Sequence, residues 1–363
     1  MLNFGPSSSD LPKKWLRSPG AFLWWYIDVV DAQGCGAVCI WSYGLPFSPG
    51  LASAARAKTP IPPGERPGWN LVIYRDHKPV FYTLQEFDPE DCSWEEDRDE
   101  WRMGGTVFRR ETKNDRVTVS IDFNCTLVGM PSPVTGQMSF EGPLRQSDEG
   151  PRSEHHTWEP LSLGGAHASL QIESDDWSET ISGRAYHDRN GGVVPMHEQG
   201  IDRWVWGRFA FPDRELVLYF VDHAGGRTEW IWLDVDANGR VIERNVADVK
   251  KDRARMSVFG PRWNPTITVT DENGSTVTVT QGPPVDDGPF YLRHIASACV
   301  DGVNAPGITE QVVPDKIDLA MHRPLVRMRI NGAKPSIWLP LFQGPARGRI
   351  VRLVGSWLRR IMP

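Results

Sequence analysis

The sequence predicts an all-β protein built from two antiparallel barrels, and three observations carry that prediction. Apolar and polar residues alternate along short segments; in DRVTVSIDF every second residue from Val117 to Phe123 is apolar, which is typical of a half-buried strand. Turn signals such as Asn273-Gly274 separate these segments at the short spacing that barrels and sandwiches show. At 363 residues the chain exceeds what a single core usually supports, which favours two units.

The two predicted units divide near Asp175-Asp176. We assign residues 1–178 to an N-terminal barrel and residues 179–342 to a C-terminal barrel, each with enough short strands to enclose one small ligand. The segment 47–68 is rich in proline, glycine and alanine, and it is too long for an ordinary connection. We therefore predict that this segment is a lid.

The last part of the chain, residues 343–363, has a different character. It carries five arginines and no acidic residue, and its apolar residues follow helical spacing, so it predicts a short basic amphipathic C-terminal helix. Such a helix either lies on an anionic membrane surface or docks on a barrel with its arginines in water. The sequence leaves both alternatives open.

Composition and motifs argue against several classes of function. The formal net charge of -6 argues against general nucleic-acid binding, for which a basic domain is expected. The five cysteines form no CxxC pair, and no glycine-rich loop follows a strand and opens a helix, so we expect neither a metal nor a dinucleotide cofactor. Because the sequence shows no apolar leader and no long apolar run, we expect a cytoplasmic protein that contacts the inner face of the membrane, if at all, through its tail.

The most unusual segment is SGRAYHDRNGGVVPMHEQGIDRWVWGRF, residues 182–209, which brings carboxylates, imidazoles and indoles together. A turn requires its glycines but not its tryptophans, and a core requires the tryptophans but not the charges. Acid chemistry on an apolar substrate uses both, since a carboxylic acid in an apolar pocket stays protonated near neutral pH. Residues 188–192 also make a good turn, so the residues alone leave a turn and a site open.

These motifs together resemble the carotenoid 1,2-hydratase (hydroxyneurosporene synthase) family, within a lipocalin-like two-barrel superfamily that includes pericyclases. The resemblance covers about residues 15–331, with HTWEP in mid-chain, PGAFLWWYIDVVDAQG near the start and GITEQVVPDKIDLAMHRPLVRMRI near the end. Two family motifs, Tyr-x-Asp-x-Asn-x-Gly and Trp-x-Trp-x-Arg, are matched residue by residue. The matching residues are Tyr186, Asp188, Asn190 and Gly192, followed by Trp204, Trp206 and Arg208.

The resemblance implies two lipocalin-like barrels with an active site in or between them and no cofactor. It implies addition of water across the terminal double bond of an acyclic carotenoid or a similar isoprenoid. The residues that we assign to catalysis from it are Tyr186, Asp188, Asn190, Tyr219 and Asp222. The residues that we assign to substrate binding are Trp25, Trp41, His187, Trp204, Trp206 and Arg208.

Such a hydration requires a proton donor, a stabilised cation and a held water. A trisubstituted alkene is barely basic, so it needs a strong acid, and Asp188 is the predicted donor. Protonation of the less substituted carbon leaves a tertiary cation, which the faces of Trp204 and Trp206 stabilise by about 0.5–2 kcal/mol each. Polar side chains on either side of Asp188 would hold the water that captures the cation.

Two residues depart from the hydratase pattern. Some family members carry His and Trp where this chain has Arg189 and Gly191. Arginine stays protonated and cannot act as a general base, whereas glycine provides no aromatic wall and widens a pocket. A cyclase or pericyclase that folds a polyene in the same cavity is therefore an alternative to hydration. A non-catalytic lipocalin-like binder of apolar ligands is a third function that stays open.

Two further expectations concern polar residues near these motifs. Arg208 is alternatively a structural cation that pairs with an inward acid such as Asp202 or Asp222. His155 and His156 precede Trp158 and are expected at the exposed end of a strand.

Overall fold

The computed structural model describes residues 3–4, 13–31, 33–45, 47, 50–95, 99–126, 132–146, 155–175, 177–325 and 328–330. The predicted C-terminal helix and the tail 343–363 lie outside these residues. Strands dominate the described chain, and its α-helices are short: α1 spans Lys13–Arg17 and α2 spans Leu51–Arg56. Single turns of 3-10 helix occur at Pro63–Glu65, Pro89–Asp91, Met196–Glu198, Pro314–Lys316 and Ala320–Leu325.

The first part of the chain consists of short strands and one long one. They are β1 Asn3–Phe4, β2 Phe22–Val30, β3 Gly36–Tyr43, β4 Pro67–Arg75, β5 Lys78–Glu86, β6 Cys92–Glu95, β7 Glu100–Met103, β8 Thr106–Lys113, β9 Arg116–Cys125, β10 Val134–Pro143, β11 Thr157–Ser162, β12 His167–Ser174 and β13 Trp177–Gly192.

The second part continues in the same way. Its strands are β14 Ile201–Ala210, β15 Arg214–His223, β16 Thr228–Asp236, β17 Val241–Arg244, β18 Val246–Lys251, β19 Arg255–Met256, β20 Arg262–Trp263, β21 Thr266–Asp271, β22 Thr276–Gln281, β23 Asp286–Asp287, β24 Tyr291–Val300, β25 Val303–Val312 and β26 Met328–Ile330.

The first sheet has 14 strands and curves as a half-barrel. Its path runs β26-β5-β4-β3-β2-β13-β12-β10-β9-β8-β7-β6, with β11 paired to β13 and β1 paired to β11. Neighbouring strands are antiparallel except for β1 with β11 and β26 with β5. In β9 the apolar residues from Val117 to Phe123 are buried and alternate with less buried neighbours, as the sequence pattern predicts.

The second sheet has 10 strands and closes almost completely into a barrel. Its path runs β17-β16-β15-β14-β25-β24-β22-β21-β18, with β23 paired to β24, while β19 and β20 form a separate ribbon. The predicted hairpin is formed by β21 and β22, and Gly274 in its turn has a φ of 83°, in the left-handed region that glycine adopts without strain. The predicted all-β class with two barrel sheets is therefore confirmed.

The strand β13 crosses the boundary predicted between residues 178 and 179. Its residues 184–192 pair with β2 and its residues 187–191 pair with β11, both in the first sheet. The second sheet begins with β14 at Ile201. We therefore propose that the change from the first to the second unit lies between Gly192 and Ile201.

Apolar side chains form three buried clusters, because successive residues of a strand point to opposite faces of its sheet. One cluster lies inside the first barrel and includes Trp25 and Trp41. A second lies between the two sheets and includes Trp24 and Trp206, and a third lies inside the second barrel around Phe209. Each fully buried side chain of this kind contributes about 1.5–3 kcal/mol. The middle cluster joins the two sheets and contains the candidate site.

Candidate active site between the two sheets

The candidate active site is built on the second half of β13. Because side chains alternate along a strand, Tyr186, Asp188 and Asn190 share the face that is turned toward the second sheet. All three are buried. The alternative turn at residues 188–192 is not formed, since β13 continues as a strand to Gly192 between β2 and β11.

Three side chains donate hydrogen bonds to the Asp188 carboxyl. Tyr186 Oη donates to Oδ2 at 2.8 Å, and Trp158 Nε1 donates to the same oxygen at 2.9 Å. Asn190 Nδ2 donates to Oδ1 at 3.0 Å. Trp158 Nε1 also reaches the Tyr186 hydroxyl at 3.0 Å, so the carboxyl is held in one orientation by a connected set of donors.

Burial raises the pKa of Asp188 to about 8, against the hydrogen bonds from Tyr186 and Trp158, which lower it. The negative charge of Glu310 raises this pKa further. A carboxyl with such a pKa is mostly protonated at neutral pH, so it can donate a proton. Burial also raises the pKa of the Tyr186 hydroxyl well above its ordinary value, which leaves Tyr186 as a neutral hydrogen-bond donor.

His156 is buried next to Asn190 and orients its amide group. His156 Nε2 lies 3.0 Å from Asn190 Oδ1, and with this nitrogen as donor the Asn190 amino group faces Asp188. Burial lowers the pKa of His156 to about 4, against the hydrogen bond with Asn190. The expectation that His156 is a surface residue is therefore wrong, whereas His155 is exposed as expected.

Aromatic rings from both sheets surround the carboxyl. The ring centroids of Tyr186 and Trp206 are 5.1 Å apart, those of Tyr26 and Trp206 are 5.3 Å apart, and Trp158 lies 5.2 Å from Tyr219. Trp24 and Trp204 complete the rings that border the cavity. Aromatic faces attract a cation, so this wall can stabilise positive charge beside Asp188. The predicted residues Trp204, Trp206 and Tyr219 are thus brought to the site.

Glu310 on β25 brings a second carboxyl into the same cavity. Arg293 donates from Nε to Glu310 Oε1 at 2.8 Å and from Nη1 to Tyr74 Oη at 2.5 Å. The negative charge of Glu310 raises the pKa of Asp188. Two carboxyls that line one cavity, one of them with a raised pKa, can act as acid and base.

These side chains enclose a cavity of about 40 Å³. A buried water needs roughly 10–15 Å³ of such space, so the cavity has room for a few waters. Its lining residues are Trp24, Tyr26, Ile40, Leu45, Phe47, Asp188, Asn190, Trp204, Trp206, Tyr219, Glu310 and Val312. A second cavity of about 30 Å³ lies beneath α2, against Phe22, Leu51, Met196 and Ile317.

Residues that follow β3 cover the first cavity. Phe47 forms part of its wall and packs against Phe290 and Tyr291, with ring centroids 5.6 Å and 5.3 Å away. Leu45 lines the cavity on the same side. The side of the cavity formed by Leu45 and Phe47 thus comes from a connection and not from a strand.

The helix α2 is held in place by residues that follow β25. Asp318 Oδ2 accepts hydrogen bonds from the backbone amides of Gly50 and Ser53, at 2.9 Å and 2.8 Å. At the other end of the helix, Arg56 Nη1 donates to the carbonyl of Ile317 at 2.8 Å. A carboxylate near the first turn and an arginine in the last turn both stabilise a helix.

His187 faces away from the cavity, because it is adjacent to Asp188 in the strand. It points into the first barrel, where its Nδ1 lies 2.9 Å from the carbonyl of Tyr26 and its ring contacts Phe140. Burial lowers the pKa of His187 to about 3, so the ring is neutral. His187 was predicted to bind substrate, but its side chain points away from the cavity that Asp188 borders.

Trp25 and Trp41 also lie inside the first barrel. Trp25 packs there against Trp101, with ring centroids 5.2 Å apart, and Trp41 belongs to the same cluster. Their neighbours Trp24 and Ile40 line the cavity instead. Trp25 and Trp41, which we predicted as substrate contacts, therefore lie on the opposite face of the N-terminal hairpin from this cavity.

Arg208 is fully buried in an ion cluster between the two sheets. Its guanidinium pairs with Asp28 and donates from Nη1 to Glu215 Oε1 at 2.9 Å and from Nη2 to the carbonyl of Arg184 at 3.0 Å. Burial lowers the pKa of Arg208, but Asp28 and Glu215 raise it above its ordinary value. Arg208 is thus neutralised by protein carboxylates and does not line the cavity.

Asp222 lies on the opposite face of β15 from Tyr219, since three positions separate them. Arg203 donates to its Oδ2 at 2.6 Å, and Lys251 lies 3.7 Å away. Burial raises the pKa of Asp222, but Arg203 and Lys251 bring it below its ordinary value. Asp222 is therefore an ionised carboxylate outside the cavity, and it is not a partner of Arg208.

The two departures from the hydratase pattern lie on the barrel face of β13. Arg189 pairs with Glu159. A Cβ on Gly191 would lie 2.3 Å from Trp15 Cζ3, so a larger residue would clash inside the barrel. Because neither residue lines the cavity, Gly191 does not widen it, and the argument that favoured a cyclase from these positions is wrong.

Sequence reasoning assigned no role to Trp158, His156 or Glu310. The first two stand two residues apart in HTWEP, and this spacing is the signal of a shared strand face. Glu310 carries no local signal, because it reaches the site through the sheet order that places it opposite Trp206 on β14.

Two observations concern other possible features of the described residues. Among them, no group of three or more His, Cys, Asp or Glu side chains is arranged to hold a metal ion. No helix in the same part of the chain is both long enough and apolar enough to cross a membrane.

An aromatic cavity that is bordered by two carboxyls, one of them with a raised pKa, is typical of an enzyme that performs acid–base chemistry on an apolar ligand. The sequence model of the carotenoid hydratase CrtC matches residues 41–335. The chain therefore belongs to the carotenoid hydratase family, and the resemblance seen in the motifs is confirmed.

Individual relatives are similar over most of their length. The hydroxyneurosporene dehydrogenase of Chlorobaculum tepidum is 30% identical over 313 residues, which cover 79% of this chain and 80% of the relative. The acyclic carotenoid 1,2-hydratase of Thiocapsa roseopersicina is 25% identical over 337 residues, which cover 88% of this chain and 74% of the relative.

Solved structures with a similar fold are more distant in sequence. The AttH candidate from Nitrosomonas europaea matches with a TM-score of 0.57 and 14% identity, covering 86% of this chain and 100% of that one. CghA in complex with Sch210972 matches with a TM-score of 0.53 and 12% identity, covering 86% and 96%. These similarities show the lipocalin-like two-barrel fold and nothing about the reaction.

Proposed function

We propose that this protein is a cofactor-independent hydratase that adds water to a terminal C=C bond of an acyclic carotenoid or a similar isoprenoid. Family membership supports the substrate class and the reaction. The observation that carries the chemistry is the Asp188 carboxyl, whose pKa burial raises to about 8 and which borders an aromatic cavity. Such a group is a proton donor at neutral pH.

The first step is transfer of the Asp188 proton to the less substituted carbon of the double bond. The π electrons form the new C–H bond, and the more substituted carbon becomes a tertiary cation. Trp206 and Tyr219 face the position of this cation from the opposite sheet. Tyr186 and Trp158 then stabilise the carboxylate that remains, because both already donate to its Oδ2.

The second step is capture of the cation by water. The water oxygen forms the C–O bond, and the proton that it loses goes to the Glu310 carboxylate. Glu310 then releases this proton to solvent and Asp188 regains one from solvent, so the net change is addition of one water. Glu310 suits this role because its carboxyl lines the cavity and is held in place by the hydrogen bond from Arg293.

The cavity of about 40 Å³ accommodates waters but not an isoprenoid chain, so substrate binding requires the cover to move. We assign this motion to Phe47 and α2, within the segment 47–68 that the sequence predicts as a lid. The substrate end would then reach Asp188, and the chain behind it would extend into the space beneath α2.

The decisive experiment replaces Asp188 by Asn and assays hydration of an acyclic carotenoid by chromatography and mass spectrometry. Asp188→Asn keeps the size of the side chain but cannot deliver a proton, so activity should fall by roughly two to four orders of magnitude. Asp222→Asn is the matched control, because Asp222 lies outside the cavity, and it should retain near-parental activity.

Other outcomes separate the remaining functions. Near-parental hydration by Asp188→Asn would refute the acid assignment. Conversion of a polyene to a cyclised isomer, without gain of water, would support the cyclase, which relies on positioning more than on proton transfer. Tight binding of carotenoid with no product under any condition would support the lipocalin-like binder.

A further inference from the structure

A second surface of the molecule has no role in the proposed chemistry. Residues 253–262, which we call the basic hairpin, connect β18 to the end of the ribbon formed by β19 and β20. Met256 is 71% exposed and Val258 is 68% exposed. Elsewhere in the described chain, Val80, Trp230, Ile242 and Val303 are 36–55% exposed, and Met321 is 76% exposed as a single side chain. Large apolar side chains at this level of exposure, side by side, are typical of a contact surface.

The charge of the basic hairpin is opposite to that of the whole chain. Its ten residues include Arg253, Arg255 and Arg262 and no acidic residue, whereas the chain carries a net charge of -6. All three arginines are exposed, and none of them forms an ion pair among the residues that the structure describes. The hairpin therefore combines three exposed arginines with exposed apolar side chains.

The hairpin is preformed and does not have to order itself on binding. Its base is fixed by Trp263, which is buried and packs against His294 with ring centroids 4.8 Å apart. Its tip is closed by hydrogen bonds from the Ser257 amide to the Pro261 carbonyl at 2.8 Å and from the Gly260 amide to the Ser257 carbonyl at 3.2 Å. The side chains at the tip are therefore held exposed by a hydrogen-bonded turn.

The hairpin lies beside the covered side of the cavity. The Val258 amide donates to Asp287 Oδ2 at 3.1 Å. The turn that follows Asp287 carries Phe290 and Tyr291, and these are the rings against which Phe47 packs over the cavity. The short segment from Asp287 to Tyr291 therefore links the exposed tip of the hairpin to the rings that pack against Phe47.

We propose that the basic hairpin docks on the surface of an anionic lipid bilayer. Exposed apolar side chains enter the boundary between headgroups and acyl chains, while flanking arginines bind lipid phosphates and favour an anionic surface over an uncharged one. The docking stands on the hairpin alone. Its use, to place the cavity cover at the membrane from which an apolar substrate is taken, rests on the proposed function.

The test is co-sedimentation of the full chain with vesicles of phosphatidylcholine alone and of phosphatidylcholine with one-third phosphatidylglycerol. We expect binding to the anionic vesicles only. Replacement of Arg253, Arg255 and Arg262 by Ser should lower the partition coefficient by about fivefold for each arginine. No substrate is present, so failure of the proposed hydration would leave this result unaffected.

Substitutions at two exposed valines test the contribution of the apolar side chains to vesicle binding. Val258→Asp should lower binding to anionic vesicles at least about tenfold, since it removes an inserted side chain and adds a charge of the same sign as the lipid. Val303→Asp is the control, because Val303 is 48% exposed in the turn at the far end of β25, and it should leave binding unchanged. Both variants should melt at the parental temperature.

Three outcomes would overturn the proposal. Anionic binding that neither the arginine replacements nor Val258→Asp reduce would assign the membrane contact to another part of the chain. Equal losses in Val258→Asp and Val303→Asp would show a general charge effect. A dimer in light scattering that Val258→Asp dissociates, with unchanged vesicle binding, would make a second copy the partner of the hairpin.

Discussion

Both faces of β13 bury polar side chains, but the side chains on the two faces are partnered differently, and those between the sheets line the candidate site. On the barrel face, Arg189 is paired with Glu159, and His187 is neutral and hydrogen-bonded to a backbone carbonyl. On the face between the sheets, Asp188 is surrounded by donors, and it keeps access to open space. The comparison shows that burial and polarity do not define a site. A group becomes reactive where its surroundings shift its protonation and leave room for a reactant.

Two buried charged groups between the sheets, Arg208 and Asp188, have different partners. Asp28 and Glu215 neutralise Arg208, and it does not line the cavity of the candidate site. Its role is to tie the first sheet to the second. Asp188 has no cationic partner among the described residues, so burial raises its pKa and it retains its proton.

The largest expected effect tests the structural role of Arg208. Arg208→Ala leaves two buried carboxylates without their cation, which should destabilise the fold by about 3–5 kcal/mol in denaturant unfolding. Arg203→Ala is the control, since Arg203 pairs with Asp222 at the margin of the sheet and should lose about 0–1 kcal/mol. A stable Arg208→Ala variant with a raised KM would instead restore the predicted substrate-binding role.

A smaller effect tests the barrel face of the strand. Gly191→Ala places a methyl group 2.3 Å from the Trp15 ring, which should destabilise the protein by about 1–3 kcal/mol. The kcat of the folded protein should be unchanged, because the position does not adjoin the cavity. Thermal melting and turnover of the same sample would measure both. An altered product at unchanged stability would contradict the assignment of faces.

The pH dependence of the reaction tests whether Asp188, on the face of β13 that borders the cavity, acts as the proton donor. In the proposed mechanism the protonated form of Asp188 is the reactive one. Because the pKa of Asp188 lies at about 8, kcat/KM should then be constant at neutral pH and fall about tenfold per pH unit above 8. Glu310→Gln removes a negative charge that raises this pKa, so the fall should begin at lower pH in that variant. A profile that declines toward neutral pH from the acid side would argue for an ionised catalytic carboxylate.

Stability measurements supply the control for this pH profile. The folded pKa of Asp188, about 8, lies above the ordinary value of 3.8, so the stability linked to its proton is fully present below the ordinary value and is lost as pH rises toward 8. Asp188→Asn removes that loss. The melting temperature of this variant, relative to the parent, should therefore increase from pH 5 to pH 8.

The smallest expected effect concerns the aromatic wall. Trp206→Phe keeps a ring beside the cation but a weaker one, and a difference of about 0.5–1 kcal/mol corresponds to a two- to fivefold lower kcat. Trp25→Phe, on the barrel side of the hairpin, is the matched control and should change stability without changing kcat. Equal effects of the two substitutions on kcat would show that the Trp206 ring does not stabilise the cation.

The sequence predicted the fold class and the central residues of the site for identifiable reasons. Strand alternation in β9 and the Asn-Gly turn of the β21–β22 hairpin are local signals. They depend only on residues that are neighbours in the sequence, so they can be recognised without knowing which strands pair. Tyr186, Asp188 and Asn190 are spaced by two, so their shared face follows from any strand. Tyr219 and Asp222 are spaced by three, which already excludes a shared face in a regular strand.

The remaining errors concern relations that a single sequence does not contain. The choice between Trp24 and Trp25 depends on which face of β2 meets the second sheet, and both residues are equally apolar. Glu310 enters the site because β25 pairs with β14, more than 100 positions away from it in the chain. The boundary near residue 178 stays a prediction; β13, which is far longer than its neighbours, crosses it, and the sequence alone does not show where this strand ends.

The backbone pairing of β13 has a consequence for how this protein can diversify. Asp188 stands in a strand that is hydrogen-bonded on both sides, to β2 and to β11, so its position is set by the most constrained part of the sheet. Phe47 and α2, by contrast, are attached through ring contacts and a few hydrogen bonds from Asp318 and Arg56. Substitutions in Phe47 and α2 can therefore change which ligand fits while Asp188 keeps its position in the sheet. Ligand range and the proposed proton transfer can then evolve independently of each other.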